Sequence, residues 1–327
     1  MTGPASVDSV SMDAPLIAGI QDPIPPIDDE ITLLIPTLGR DLLFECIRSV
    51  LEGSCWPGHI IVVDQGRREV IGSWLAQVES LGINTLHLQS SERGRSRGLN
   101  TGLARTATRF VLITDDDCRV DVSWVETMRA NLLEHPDRIF TGRIEAGGSE
   151  PVVAKVLDED VYVATKPGLV YDRLSGGNLG VGMNVFRRVG LFDDDPLIAF
   201  SEDGEWAYRA LKSGVSVAYI PDAVVTHLGW RDENERNTQY ANYAHSQAAF
   251  FGKRMRLFDA FIVLRSLIHL LRTGRRWARG KIAGDNEQAN YAAAYLRHFA
   301  PGIVAGIRSA KRPPSLPGSS RNDGREE

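Results

Sequence analysis

Cysteine is scarce in this chain. The three present, Cys46, Cys55 and Cys118, are odd in number, far apart, and form no Cys-x-x-Cys pair. That argues against a disulfide framework and against a thiolate zinc site, and makes a reducing compartment, the cytoplasm, the expected setting. Long apolar runs are missing too. No stretch reaches the roughly 18 uncharged apolar residues of a membrane span. The first residues include Asp8 and Asp13 but no basic n-region, so no secretion signal is expected. No internal repeat recurs at a fixed period.

What is present is ordinary for a globular protein: 327 residues, 43% apolar and 24% charged. That length can bury a sizeable core in one large domain or two small ones. The net charge of −5 hides an asymmetry, with a balance of −14 through residue 250 and +9 beyond it. An acidic body suits cation-assisted chemistry, and a basic tail suits an anionic surface. No nucleic-acid partner is expected, because its working domain would itself be basic.

Residues 1–29 are rich in Pro, Asp and Ser and read as an arm or linker. Order is expected from Ile31. Short apolar runs at 31–35, 60–63, 84–88 and 110–113 read as buried strands. Helical spacing over 41–52, 68–81 and 95–107 separates them. Strands alternating with such helices give an α/β fold, a doubly wound sheet with right-handed crossovers. Ligands of such sheets bind beyond the carboxyl ends of the strands. Pro36, Asp64 and the run Asp115-Asp116-Asp117 all fall at such ends, so they are expected to face one crevice. Further on, a helix is expected over 203–213, strands over 215–220 and 223–227, and mainly helix from Arg236 to Arg272. The tail from residue 311 has a disordered composition.

Three adjacent carboxylates after a buried strand repel one another and are expensive to bury without a cation. Mg²⁺ or Mn²⁺ with substrate phosphates would answer that need. A solvated turn or helix cap would use the same residues. Glu202-Asp203 opens an amphipathic helix, either as first-turn charges that suit the dipole or as a general base. His227 ends a strand, either as a structural residue or as part of a metal shell. Gly94-Arg95-Ser-Arg97-Gly98 followed by Asn100 and Gly102 lacks dinucleotide-fingerprint spacing, but its backbone donors and arginines suit a diphosphate.

Taken together, these segments resemble family 2 glycosyltransferases of the GT-A fold, from about Ile31 to Gly252. Pro36-Thr37-Leu-Gly-Arg40 resembles the family's first nucleotide-binding turn and Val62-Val63-Asp64 its base-contacting strand end. Gly94 to Gly102 resembles its Gly-x-Ser-x-Ala-Arg-Asn-x-Gly element, with Leu99 where an Arg is usual. Thr114–Asp117 resembles its Asp-x-Asp motif. Gly182-Met-Asn184 with Gly190 to Asp193 resembles the acceptor-side segment, Glu202-Asp203 the Glu-Asp element, and Pro221 to His227 the strand that closes the core.

The resemblance implies a GT-A type mixed sheet over 30–235 as the catalytic domain, a basic helical segment over 236–310, and a tail over 311–327. It implies inverting transfer from a UDP-, GDP- or dTDP-linked sugar to a glycan or lipid-linked acceptor, in cell-surface polysaccharide or glycolipid synthesis. Pro36, Thr37, Arg40, Asp64, Arg95, Arg97, Asn100, Asp115 and Asp116 would hold the donor, and Asp117 with His227 the Mg²⁺ or Mn²⁺. Asp203, beside Glu202, would be the base. Asn184, Trp230 and Arg231 would face the acceptor. Trp206 reads as core. Rival readings are a sugar-phosphate nucleotidyltransferase and a catalytically silent carbohydrate- or membrane-binding scaffold.

Residues 253–281 form a basic amphipathic pattern. Its apolar side is expected to pack on the catalytic domain. The alternative, compatible with packing, is that it lies on the inner face of the plasma membrane.

Overall fold

The computed structural model describes residues 15–20, 23–147, 157–172, 174–228 and 233–316. Four parallel strands form the first half: β1 (Ile27–Thr37), β2 (Trp56–Asp64), β3 (Asn84–Gln89) and β4 (Phe110–Thr114), in the order β3-β2-β1-β4. Their side chains alternate between two cores, as the period of a strand requires. Leu33, Ile35, Ile60, Val62 and Leu112 meet α1 (Leu42–Leu51), α2 (Val70–Glu79) and α4 (Trp124–Glu134). Leu34, Ile61, Val63, Val111 and Ile113 meet α3 (Arg95–Leu103), α5 (Met183–Val189) and α6 (Glu202–Lys212). Trp206 belongs to this second core, stacked on Phe186 at 4.8 Å between ring centres.

The sheet continues as β8 (Asn178–Gly182), β6 (Ile139–Ala146), β9 (Val217–His227) and β5 (Cys118–Val120), with β7 (Tyr162–Ala164) also paired to β9. β8 runs antiparallel to β4 and β6, so the sheet is mixed. The two strands expected over 215–227 are one. Between Gly142 and Arg143 its register against β6 jumps from Ile220 to Val224, and this bulge accommodates Pro221. β5, β6 and β8 escaped the sequence reading because short or Gly-containing strands carry little periodicity.

Described residues of both the expected arm and the expected tail are anchored, against what composition suggests. Leu16 is fully buried in the first core, although it belongs to the expected arm. At the other end the Leu191 amide donates to the Pro314 carbonyl at 3.0 Å, and Leu316 joins the second core.

Three helices follow the sheet: α7 (Glu233–Met255), α8 (Ala260–Ala283) and α9 (Asn286–Arg308). Phe250, Phe251, Ile262 and Phe299 form their shared core with Tyr208 of α6. α8 packs on that core through Ile262 with partly buried Phe261 and Leu270. The residues it buries fully are Ile262, Arg265, Ser266, Thr273 and Gly280, while Val263, Leu264, Leu267, Leu271 and Ile282 are exposed.

Candidate active site

A cavity of about 390 Å³ opens at the carboxyl ends of β1 and β4, the expected place in such a sheet. Asp115, Asp116, Asp117, Glu202, Asp203 and His227 all line it, drawn from parts of the chain up to 112 residues apart. Of the other expected residues, Pro36, Thr37, Arg40 and Arg95 stand on its wall.

Each carboxylate is held differently. Asp116 is buried, accepts from the Thr37 hydroxyl at 2.6 Å and from Arg40 Nη1 at 2.9 Å. Burial pushes its carboxyl up to about 6, against the pull of Arg40 and Thr37. The same Arg40 nitrogen reaches Asp117 Oδ2 at 2.9 Å. Arg95 donates from Nε to Asp115 at 2.8 Å and from Nη1 to Glu202 at 3.1 Å, so it ties the Asp run to the Glu-Asp pair. Burial, reinforced by Asp203, raises Glu202 to about 7 despite Arg95. Burial raises Asp203 as well, while it accepts from the amides of Gly204 at 2.7 Å and Gly176 at 3.3 Å.

The metal candidates converge through strand pairing. β5 runs antiparallel to β9 with Cys118 opposite His227, which brings Asp117 Oδ1 within 3.6 Å of His227 Nε2. Ligand atoms of Asp117, Cys118 and His227 lie within 4.8 Å of one another. His227 Nδ1 is buried without a hydrogen-bond partner. Mg²⁺ and Mn²⁺ favour carboxylate oxygen and imidazole nitrogen over a thiol, which leaves Asp117 and His227 as the pair suited to such a cation. The residues present therefore fit Mg²⁺ or Mn²⁺.

Several expected donor contacts do not reach the cavity. Asp64 is fully buried and spends its carboxylate on the amides of Gly66, Arg67 and Arg68, at 2.7–2.8 Å, and on His87 at 3.2 Å. It shapes the turn rather than the cavity wall. Gly66 is required there, because a Cβ would lie 2.0 Å from the Leu38 carbonyl oxygen. Its neighbour Gln65 lines the cavity and donates to the Glu92 and Gly94 carbonyls, fixing the loop before α3. Asn100 exchanges two hydrogen bonds with the Phe192 backbone. Arg97 pairs with Glu92 at 3.8 Å. Asn184 sits exposed on α5 and donates to Asp137, away from the cavity lining. Trp230 and Arg231 lie outside the described residues.

The sequence reading also missed residues that do line the cavity: Arg93, Phe200, Tyr243 and the turn Ser175-Gly176-Gly177. Phe200 and Tyr243 meet edge to face at 5.5 Å. The double glycine was the available signal. A Cβ on Gly177 would come within 2.7 Å of Asp115 Oδ2, and one on Gly176 within 2.7 Å of Arg95 Nη1. Nothing in the spacing of α7 marks Tyr243.

Fold and cleft together define a doubly wound α/β protein whose strand ends gather acidic and cationic groups around one ligand-sized cavity. Residues 32–193 match the family model described as Glycosyl transferase family 2. The pre-mycofactocin glycosyltransferase of Mycobacterium tuberculosis is 25% identical over 256 residues, which cover 76% of this chain and 51% of that protein. Glycosyltransferase GlyA of Streptococcus pneumoniae serotype 4 is 25% identical over 117 residues, 36% of this chain and 17% of that one. The chain thus spans about half or less of the length of these curated relatives. Among solved structures, Staphylococcus aureus TarS 1–349 in complex with UDP-GlcNAc has a TM-score of 0.57 at 14% identity, covering 84% of this chain and 81% of that one. A mannosyltransferase from Pyrobaculum calidifontis in complex with GDP-Man and Mn²⁺ has a TM-score of 0.55 at 15% identity, covering 88% and 90%. Residues 32–193 belong to the family 2 glycosyltransferases, and the chain has the GT-A fold.

Proposed function

We propose that the chain moves a sugar from a nucleotide-diphosphate donor to an acceptor hydroxyl by single displacement with inversion. The observation that carries this reading is the shared cavity: the Asp run and His227 lie on the same wall system as Asp203. Charge stabilisation and proton removal can then act on one bound donor–acceptor pair.

Asp203 is assigned as the general base. Its burial raises its proton affinity, which suits a carboxylate that must take a proton from a hydroxyl. Glu202 and Arg95 fix its electrostatic setting. Asp117 and His227 would hold Mg²⁺ or Mn²⁺, which when bound stabilises charge developing on the leaving diphosphate. Pro36 and Thr37 are assigned to the nucleoside side, Arg93 and Arg95 to the diphosphate. Donors of UDP and GDP type are supported by what the similar structures hold, UDP-GlcNAc and GDP-Man. Phe200 and Tyr243 present aromatic surface on which an acceptor sugar can stack. The setting proposed is cell-surface glycan or glycolipid synthesis.

Incubation with nucleotide sugars and Mn²⁺, with release of nucleoside diphosphate measured, tests this. The expected donor is turned over by the native chain. Asp203→Asn should lower the rate by about 10²-fold or more, with donor binding retained. Near-normal turnover in that variant removes Asp203 from its role.

A further inference from the structure

α8 is built inside out. Its inward face carries Arg265, Ser266, Thr273 and Gly280, with Ile262 the one large apolar side chain fully buried. Arg265 pairs there with Asp172 through Nη1, at 2.5 Å, both side chains almost wholly buried. The outward face carries Val263, Leu264, Leu267, Leu271 and Ile282, exposed by 42, 49, 53, 74 and 88%. At 100° per residue these fall on one stripe. Along one margin of the stripe run Arg272, Arg275 and Arg279, all exposed. The helix contains no carboxylate.

The turn before α8 extends the stripe. Leu257 is 59% exposed and Phe258 95%. Phe258 has φ of +58°, a left-handed backbone that a bulky residue adopts only under strain. No described group packs on its side chain closely enough to account for that strain by burial.

We propose that this face docks the protein on an anionic lipid surface, with Leu257, Phe258 and the α8 stripe seated in the headgroup region and the arginines on lipid phosphates. Charge decides between occupants. A second copy of the chain would bring two carboxylate-free arginine margins together, whereas anionic lipid complements them. α8 is too charged to cross a bilayer, and no described helix is long and apolar enough to do so. The docking goes beyond the transfer chemistry and uses none of its residues.

The test is cosedimentation of the full chain with phosphatidylglycerol and with phosphatidylcholine vesicles. Binding is expected to the anionic vesicles, to weaken as salt rises, and to bring Trp277, 42% exposed on the same helix, within quenching reach of brominated lipid. The double variant Leu267→Glu with Leu271→Glu should bind roughly tenfold or more weakly, with its thermal transition unchanged. Phe258→Gly should also bind more weakly while melting no lower, since glycine adopts positive φ without strain. Absence of binding to anionic vesicles at low salt overturns the proposal. So does equal binding to neutral vesicles, or a solution dimer that the Leu267/Leu271 variant dissolves.

Discussion

Glu202 is a buried carboxyl of the cleft held between the Asp203 charge and Arg95. Its carboxyl is raised to about 7, above the ordinary glutamate value of 4.5, by burial first and by the Asp203 charge second. The folded state therefore holds a proton that the unfolded state has lost between about pH 4.5 and 7. Stability contributed by this group falls as pH rises through that window. Glu202→Gln carries no such charge, so its melting temperature relative to the native chain should improve between pH 5 and pH 8. Differential scanning fluorimetry across that range checks it. In activity the sign reverses. Ionised Glu202 strengthens Asp203 as a base, so native turnover should fall as pH drops below about 7. The variant should move that limb to lower pH, where Asp203 alone is protonated.

At the scale of elements, the buried pair Arg265–Asp172 couples α8 to the segment that leads into the Ser175-Gly176-Gly177 turn. Removing one partner of a buried ion pair leaves an uncompensated charge and costs about 3–5 kcal/mol. Arg265→Met should therefore destabilise the chain on that order in urea unfolding. It should also slow turnover, because the turn that contacts Asp203 loses its anchor. Arg265→Met combined with Asp172→Leu should recover much of the stability, since an apolar pair of similar volume leaves no orphan charge. A melting temperature unchanged in the single variant would show that the pair does not anchor this segment.

At the scale of the whole molecule, the cleft is a convergence of like charges that is offset from within by arginines. Arg40 bridges Asp116 and Asp117, and Arg95 bridges Asp115 and Glu202. A divalent cation on Asp117 and His227 would add to that compensation and to donor phosphate binding. Nucleotide-sugar donor with Mn²⁺ should therefore raise the melting temperature. By mass action a ligand at a hundred times its dissociation constant adds about 2.7 kcal/mol. Chelation should abolish most of the donor's shift and its turnover. Full activity after chelation would remove the metal assignment.

Sequence legibility followed the range of the interactions. The strands 31–35, 60–63 and 110–113 and the helices between them were readable, because apolar runs and helical spacing are local signals. So were Asp117, Asp203 and Arg95, since each sits at an element end. Asp64 and Asn100 lie off the cavity lining, which the sequence could not show, because a polar side chain at a strand end or on a helix looks the same whether it faces a ligand or closes a neighbouring turn. Phe200, Tyr243 and the inverted burial of α8 had no local signature.

The amino-acid order by itself determined the doubly wound half of the sheet and put acidic residues at its strand ends, since burial periodicity and turn chemistry act over a few residues. Only the tertiary structure decided which carboxylates line one cavity, that His227 stands beside Asp117, and that α8 turns Leu264, Leu267 and Leu271 outward. Those outcomes depend on β5–β9 pairing and on the Arg265–Asp172 contact, long-range choices set by competition among whole elements for burial.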